Sequence, residues 1–225
     1  MTISKRIGLF LGALVLVLAA ALLGSPCAHA QGIFLEKGQS GFGATGGVAS
    51  NDDATGLSIG AGYSHIALID VGGVISRYSY DKTGWLDLSA TGLRGYVNVH
   101  LSLLGATATY EKLLFSTGAP AGYDVHFSGW NMFVGGFGHL PLELGGAFGA
   151  VPQVTVGIEH ASVKMDVPAF YDYYTYASHS STSLLVRLDG NFTMKDSARL
   201  WSLDPMLAVD ANNVTFGLFV GGVFH

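Results

Sequence analysis

Residues 214–224 read Val-Thr-Phe-Gly-Leu-Phe-Val-Gly-Gly-Val-Phe, and His225 closes the chain. Every second position (Val214, Phe216, Leu218, Val220, Gly222, Phe224) is apolar or glycine. The interleaved set, Thr215, Gly217, Phe219, Gly221 and Val223, is small and mixed. A period of two belongs to a β-strand that meets an apolar medium on one side. At the end of a water-soluble protein such a strand leaves an unpaired, adhesive edge. As the closing strand of a membrane barrel it has a partner on both sides, and its aromatic end sits near an interface.

The opposite end carries an export pattern. Lys5 and Arg6 form a positive n-region, Gly8 to Leu23 is an uncharged apolar run, and Ala28-His29-Ala30 supplies small residues for cleavage. This predicts a secretory signal peptide over 1–30 and a single domain over 31–225. The one cysteine, Cys27, follows Gly24-Ser25-Pro26, which is not a lipidation context, so the predicted mature chain has neither disulfide nor thiol chemistry. Without Lys5 and Arg6 the formal charge moves from -5 to -7, with charges scattered and no basic patch for nucleic acid. The longest mature stretch free of Asp, Glu, Lys and Arg, Val125 to Leu142, holds His126, His139, Pro141 and several glycines, so no spanning helix is expected. Bilayers admit only helices or closed barrels, because each backbone amide must be paired internally.

The fold class expected is therefore all-β: a closed antiparallel up-and-down transmembrane β-barrel of about ten strands. The ascending strands are read at 40–50, 68–80, 104–116, 152–164 and 199–209. The descending ones are read at 56–65, 91–101, 125–138, 181–193 and 213–224. Leu93, Gly95, Val97, Val99 and Leu101 oppose Arg94, Tyr96, Asn98 and His100; Leu184, Val186, Leu188 and Phe192 oppose Arg187, Asp189, Asn191 and Thr193. Each is about 10 residues long, enough for a tilted strand to cross the hydrocarbon. Strand 199–209 contains Pro205, which cannot donate to a ladder; without it the count falls to eight.

By this register Arg94, His100, Glu111, Glu159, Arg187 and Asp189 fall on the lumen side, as the cost of roughly 2–4 kcal/mol for a basic side chain at mid-bilayer favours. Two readings stand: a self-satisfied plug, or a selectivity filter along a narrow pore. Inward glycines Gly60, Gly62, Gly105, Gly217 and Gly221 either relieve crowding or leave room for water. The connections after the ascending strands, 51–55, 81–90, 117–124, 165–180 and 210–212, are placed outside the cell. The most distinctive, with Tyr171, Tyr173, Tyr174 and Tyr176, reads as an interfacial girdle or a binding surface. Residues 139–151 are long for a turn on the opposite side.

The closing strand, with Phe216, Leu218, Val220 and Phe224 as its assembly signal, resembles the C-terminal signal of bacterial outer-membrane barrels, here with a penultimate rather than terminal aromatic. With the export pattern it makes the chain similar to small Gram-negative outer-membrane β-barrel proteins in general. The resemblance implies an outer-membrane location, lipid and lipopolysaccharide around the wall, and periplasmic chaperones and barrel-assembly machinery as partners. It implies a structural or surface-interaction role; a narrow channel for small solutes is the first alternative. A second comes from His160-Ala161-Ser162, on the lipid-side parity, which resembles the His-x-Ser pair of outer-membrane lipid A deacylases. In that family an Asn follows the Ser and a Glu orients the His; here Val163 follows Ser162, and only Asp166 or Asp172 is placed to serve as the acid. The expectation is no enzyme and no catalytic residue. The dispersed histidines and absent HExxH imply no metal, and no cofactor motif is present.

Overall fold

The computed structural model describes residues 38–52, 54–80, 88–117, 126–167, 175–196, 199–211 and 213–224; the predicted signal peptide lies outside them. The strands are β1 (Gly41–Ser50), β2 (Ala54–His65), β3 (Ile69–Tyr80), β4 (Leu88–Leu101), β5 (Leu104–Thr117), β6 (His126–His139), β7 (Leu142–Gly145), β8 (Phe148–Ala150), β9 (Gln153–Val167), β10 (Thr175–Asp189), β11 (Phe192–Asp196), β12 (Arg199–Val209) and β13 (Val214–Phe224). Ten of them close a barrel in the order β1-β2-β3-β4-β5-β6-β9-β10-β12-β13, with β13 returning to β1. All pairings are antiparallel, so no edge remains in the ring. The ten strands lie close to the positions the periodicity predicts, and the strand carrying Pro205 is one of them.

The three additional strands continue barrel strands past a shared interruption. β6 pairs β9 with His139 opposite Gln153, and β7 pairs β8 with Leu142 opposite Ala150, the same register resumed beyond Leu140-Pro141 and Val151-Pro152. Likewise β10 places Asp189 opposite Met206 and β11 places Phe192 opposite Leu203 on the same β12. The long 139–151 connection is thus a hairpin extending below the ring and turning at Gly145 and Gly146, whose φ values of +109° and +62° suit residues without a Cβ.

Proline sets the level of the interruption. Leu140 N donates to Pro152 O (3.1 Å) and Gly190 N donates to Pro205 O (2.9 Å), but neither proline can return the bond. At the break Asp204 Oδ1 accepts from Gly190 N (3.1 Å) and Asn191 N (3.3 Å). Asn191 also donates through Nδ2 to Val151 O (3.2 Å). Pro205 is tolerated in a barrel strand because its missing donor faces this break.

Register fixes the tilt. The row starting at Phe42 passes Tyr63, Val71, Val97, Ala108, Val134, Ile158 and Leu184. A row followed from Asp189 through Met206, Gly217, Ala49, Gly56, Tyr78, Ala90 and Phe115, and carried on through Phe127 and Met165, returns to β10 at Ala177, a stagger of 12 residues (189 − 177). Ten strands with that stagger tilt by roughly 40°. On β4 the outward apolar set runs from Leu93 to Leu101, and on β13 from Phe216 to Phe224. At that tilt each covers roughly 20 Å of height, near the ~25 Å apolar band of membrane barrels. Aromatic pairs mark both margins: Phe42–Tyr63 (4.9 Å) and Trp201–Phe224 (6.3 Å) at the end of the short turns, Tyr110–Trp130 (6.3 Å) toward the long connections.

Candidate functional site: the barrel interior

The alternation that turns apolar side chains outward turns the complementary set inward. Many inward positions are glycine, and rings from adjoining strands lie over them. Tyr96 covers Gly62 and Gly72, Tyr78 covers Gly56 and Gly92, Phe137 covers Gly105, and Phe219 covers Gly47 and Gly217. The inward glycines at 62, 105 and 217 therefore seat aromatic rings against the wall. Sequence alone left that space open to water.

Between the rings lie two polar tiers. In the upper one, toward the long connections, Arg94 Nη2 donates to Glu111 Oε2 (2.8 Å) and to Tyr78 Oη (3.4 Å), while Tyr78 Oη donates to Glu111 Oε1 (2.9 Å). Arg94 and Glu111 are directly paired across β4 and β5, and Tyr78 arrives from β3. Glu111 is only 3% exposed. Asn131 Nδ2 donates to Glu159 Oε1 (2.5 Å), and Glu159 is close enough to Arg94 to act on it electrostatically. A cavity of about 270 Å³ adjoins this tier, lined among others by Asn131, Glu159, Ser181, Ser183 and Asn213.

The lower tier sits just above the proline break. His100, fully buried, pairs through Nε2 with Asp70 Oδ2 (2.5 Å) and packs its ring 5.1 Å from Phe137. Arg187 donates through Nε to Asp189 Oδ1 (2.7 Å), and Asp204 lies within electrostatic range of Arg187. Arg94 facing Glu111 and Arg187 facing Asp189 in a low-dielectric interior, each joined by hydrogen bonds, is an arrangement in which buried ions are tolerated, while Asp70 Oδ1, His100 Nδ1 and Asp189 Oδ2 are buried without a protein partner.

All six lumen candidates, Arg94, His100, Glu111, Glu159, Arg187 and Asp189, thus share the inward face, in two tiers that Arg94 and Arg187 connect, the one lying within electrostatic range of the other. Sequence reading missed their partners Asp70, Tyr78 and Asn131, although the alternation Asp70, Gly72, Val74, Ser76, Tyr78 on β3 carries the same parity signal. Of the assembly-signal residues, Phe216, Leu218, Val220 and Phe224 all face outward on β13, which pairs β12 and β1. Tyr171, Tyr173 and Tyr174 lie outside the described residues. Tyr176 falls in β10, not in a loop, because β9 and β10 are longer than the periodicity showed.

His160 and Ser162 lie on the outward parity of β9. The His160 ring bonds through Nδ1 to Thr182 Oγ1 (2.6 Å) and lies 5.2 Å from Trp130. The Asp166 side chain and Asp172 lie outside the described residues. Among the described residues no group of three or more His, Cys, Asp or Glu side chains is arranged to hold a metal.

A closed antiparallel ring with an apolar belt outside and ion pairs inside defines a class, the β-barrel that crosses a membrane with its strands. No family model and no curated protein matches the chain. Solved structures of similar shape include the β-domain of the Bordetella autotransporter BrkA, at 12% identity over 82% of this chain and 98% of that one, with a TM-score of 0.46. The translocator domain of the autotransporter NalP from Neisseria meningitidis matches at 11% identity over 86% of this chain and 91% of its own, TM-score 0.47. Ail, the attachment invasion locus protein of Yersinia pestis, matches at 11% over 84% and 98%, TM-score 0.39. Identities this low and superpositions this partial transfer no function from any of them.

Proposed function

We propose that this chain is an integral protein of a bacterial outer membrane whose lumen is closed by its own side chains, and that it works through its wall and outer loops, without catalysis. The observation that carries this reading is the burial of charge on the inner face. Glu111, Asp189 and His100 are dehydrated and engaged with partners on the same or neighbouring strands, at two heights of one narrow ring. Eight strands enclose an interior that side chains just fill and ten give somewhat more room, part of which the rings seated on Gly62, Gly105 and Gly217 take up. Lipid and lipopolysaccharide surround such a wall, and periplasmic chaperones and the assembly machinery deliver it, with Phe216 and Phe224 presented on the closing strand.

Fractionation with boiled and unboiled gel samples tests the location. A heat-modifiable outer-membrane band beginning near Gln31 is expected; a soluble periplasmic product overturns it. Planar-bilayer recording tests the plug, and long-lived ohmic steps from the wild-type protein would sink it. One observation favours a second reading, a narrow anion-selective path: the inward side chains of Arg94 and Arg187 keep 33% and 38% of their surface exposed. That reading requires conductance whose selectivity changes in Arg94→Gln. Intact lipid A acylation in cells expressing either wild type or Ser162→Ala is the expected outcome for a non-catalytic wall.

A further inference from the structure

Toward the long connections β10 outlasts one of its neighbours. It pairs β9 along its whole length, from Thr175 to Asp189, but meets β12 only over 186–189. β12 gives way at Val209 to a turn in which Asp210 N donates to Asn213 O (3.0 Å). Among the described residues, none pairs with β10 on that side beyond Val186. The direction of the unpaired groups follows from the register. Gly190 N donates to Pro205 O, and both ladders of β10 run without a bulge. Alternate residues of an antiparallel strand serve alternate neighbours. Leu184, Thr182, Ser180 and Ser178 therefore aim their backbone N–H and C=O groups at the gap.

An edge of this kind is normally guarded by a fixed charge, a proline or a bulge. Residues 178–184 read Ser-His-Ser-Ser-Thr-Ser-Leu and carry none of the three. Residues 178–182 are exposed on both faces of the strand. The edge thus stands in water, beyond the outward apolar residue Leu184.

The cavity of about 270 Å³ beside the upper tier opens at this gap. Ser181, Thr182 and Ser183 line one side, Asp210 and Asn213 of the turn another, and Asn131 and Glu159 the inner wall. Thr182 reaches it through its backbone, since its hydroxyl is turned outward to His160. Glu159 stands directly opposite Ser183 on β9. Asn131 Nδ2 is committed to Glu159, while Asn131 Oδ1 is buried with no protein partner. The lining holds two carboxylates and no cation. Arg94 acts on Glu159 electrostatically but makes its ion pair with Glu111 (2.8 Å).

We propose that this notch is a docking site for an extended peptide segment of another protein, which adds as a strand to the free edge of β10 and seats a Lys or Arg side chain in the acidic cavity. The inference rests on the reading above that the long connections face the cell exterior. A strand added there gives partners to the N–H and C=O groups of Thr182, Ser180 and Ser178. Its side chains opposite Ser181 and Ser183 share their inward parity. A residue opposite Ser183 lies two strands from Glu159, roughly 10 Å, which a long basic side chain and a glutamate span together. Ammonium and guanidinium groups only donate, and Glu159, Asp210 and Asn131 Oδ1 supply acceptors. The hydroxyl side chains of the edge exclude little, so the cavity sets the specificity.

Fluorescence anisotropy with the purified full barrel in neutral detergent tests the site. The probes are labelled acetyl-Thr-Thr-Val-X-Val-Thr-Thr-amide peptides with X as Lys, Arg or Glu. The Lys and Arg peptides are expected to bind about tenfold tighter than the Glu peptide, and Glu159→Gln and Asp210→Asn should each weaken the Lys peptide about fivefold. Ser180→Pro removes a gap-facing N–H without touching the β9 ladder, so it should weaken binding about tenfold while keeping the heat-modifiable gel shift. Two Lys peptides, N-methylated at one or the other set of alternate amides, probe the edge with the protein unaltered, and one of them should lose binding. Equal binding of the Lys and Glu peptides overturns the proposal, as do two N-methylated peptides that both bind like their parent. Lysine amide alone matching the Lys peptide overturns strand docking in favour of a small-amine pocket. A Lys peptide that binds the purified barrel, but intact cells only after the outer membrane is permeabilised, overturns the outward orientation while the docking site stands.

Discussion

Truncating each partner of the Arg94–Glu111 pair should produce unequal losses of stability, because the two groups are buried unequally. Removing one member of a buried ion pair costs about 3–5 kcal/mol, since the other is left dehydrated and uncompensated. In Glu111→Ala the stranded group is Arg94, a third of whose side chain is exposed. It recovers some hydration and retains Tyr78 Oη as an acceptor, so the lower end, about 3 kcal/mol, applies. In Arg94→Ala the stranded group is Glu111, 3% exposed and left with the Tyr78 hydroxyl alone. The upper end, about 4–5 kcal/mol, applies there. Arg94→Ala/Glu111→Ala strands neither and should cost clearly less than the sum of the single variants, a coupling of order 2 kcal/mol. Urea unfolding in lipid vesicles, followed by tryptophan fluorescence and gel mobility, measures all three. Additive losses, or an Arg94→Ala variant within 1 kcal/mol of wild type, would refute the view that these groups are dehydrated and paired.

Other expectations follow from the wall. Val134, 53% exposed, lies mid-belt on β6, so Val134→Arg should destabilise the inserted barrel by roughly 2–4 kcal/mol; a neutral result in the same unfolding assay argues against lipid at that position. Gly62→Ala drives a methyl into the Tyr96 hydroxyl and should cost about 1–3 kcal/mol, with partial recovery on adding Tyr96→Phe; no recovery means the ring is not seated there. Phe224→Ala and Phe216→Asp should each lower the amount of heat-modifiable barrel in cells, and unchanged levels of both would show that the closing strand's outward face does not govern assembly.

Much of the fold was legible because strand periodicity is local. Outward and inward faces follow from parity alone, so Leu93 to Leu101 and their alternates Arg94 to His100 could be sorted without any tertiary knowledge. Strand ends were less legible: beyond His160 on β9 the alternation changes sides, with Ala161, Val163 and Met165 on one parity and Ser162, Lys164 and Asp166 on the other, and beyond Thr182 on β10 it becomes polar on both, while the ladder continues. Residues 139–151 looked like an overlong turn because Pro141 and Pro152 interrupt the pattern, whereas their spacing preserves a register that only the pairing across strands reveals.

The amino-acid sequence by itself determined the all-β class, the approximate strand positions and which side chains face lipid, because those depend on a period of two and on the cost of exposing backbone amides in a bilayer. The tertiary structure alone decided what meets across strands. It set the stagger of 12 residues, the pairing of Arg94 with Glu111 and of His100 with Asp70, the rings seated on glycines, and the proline break that frees a hairpin below the ring. Those outcomes depend on register between segments distant in sequence, and register is an energy minimum of the closed ring that no single strand contains.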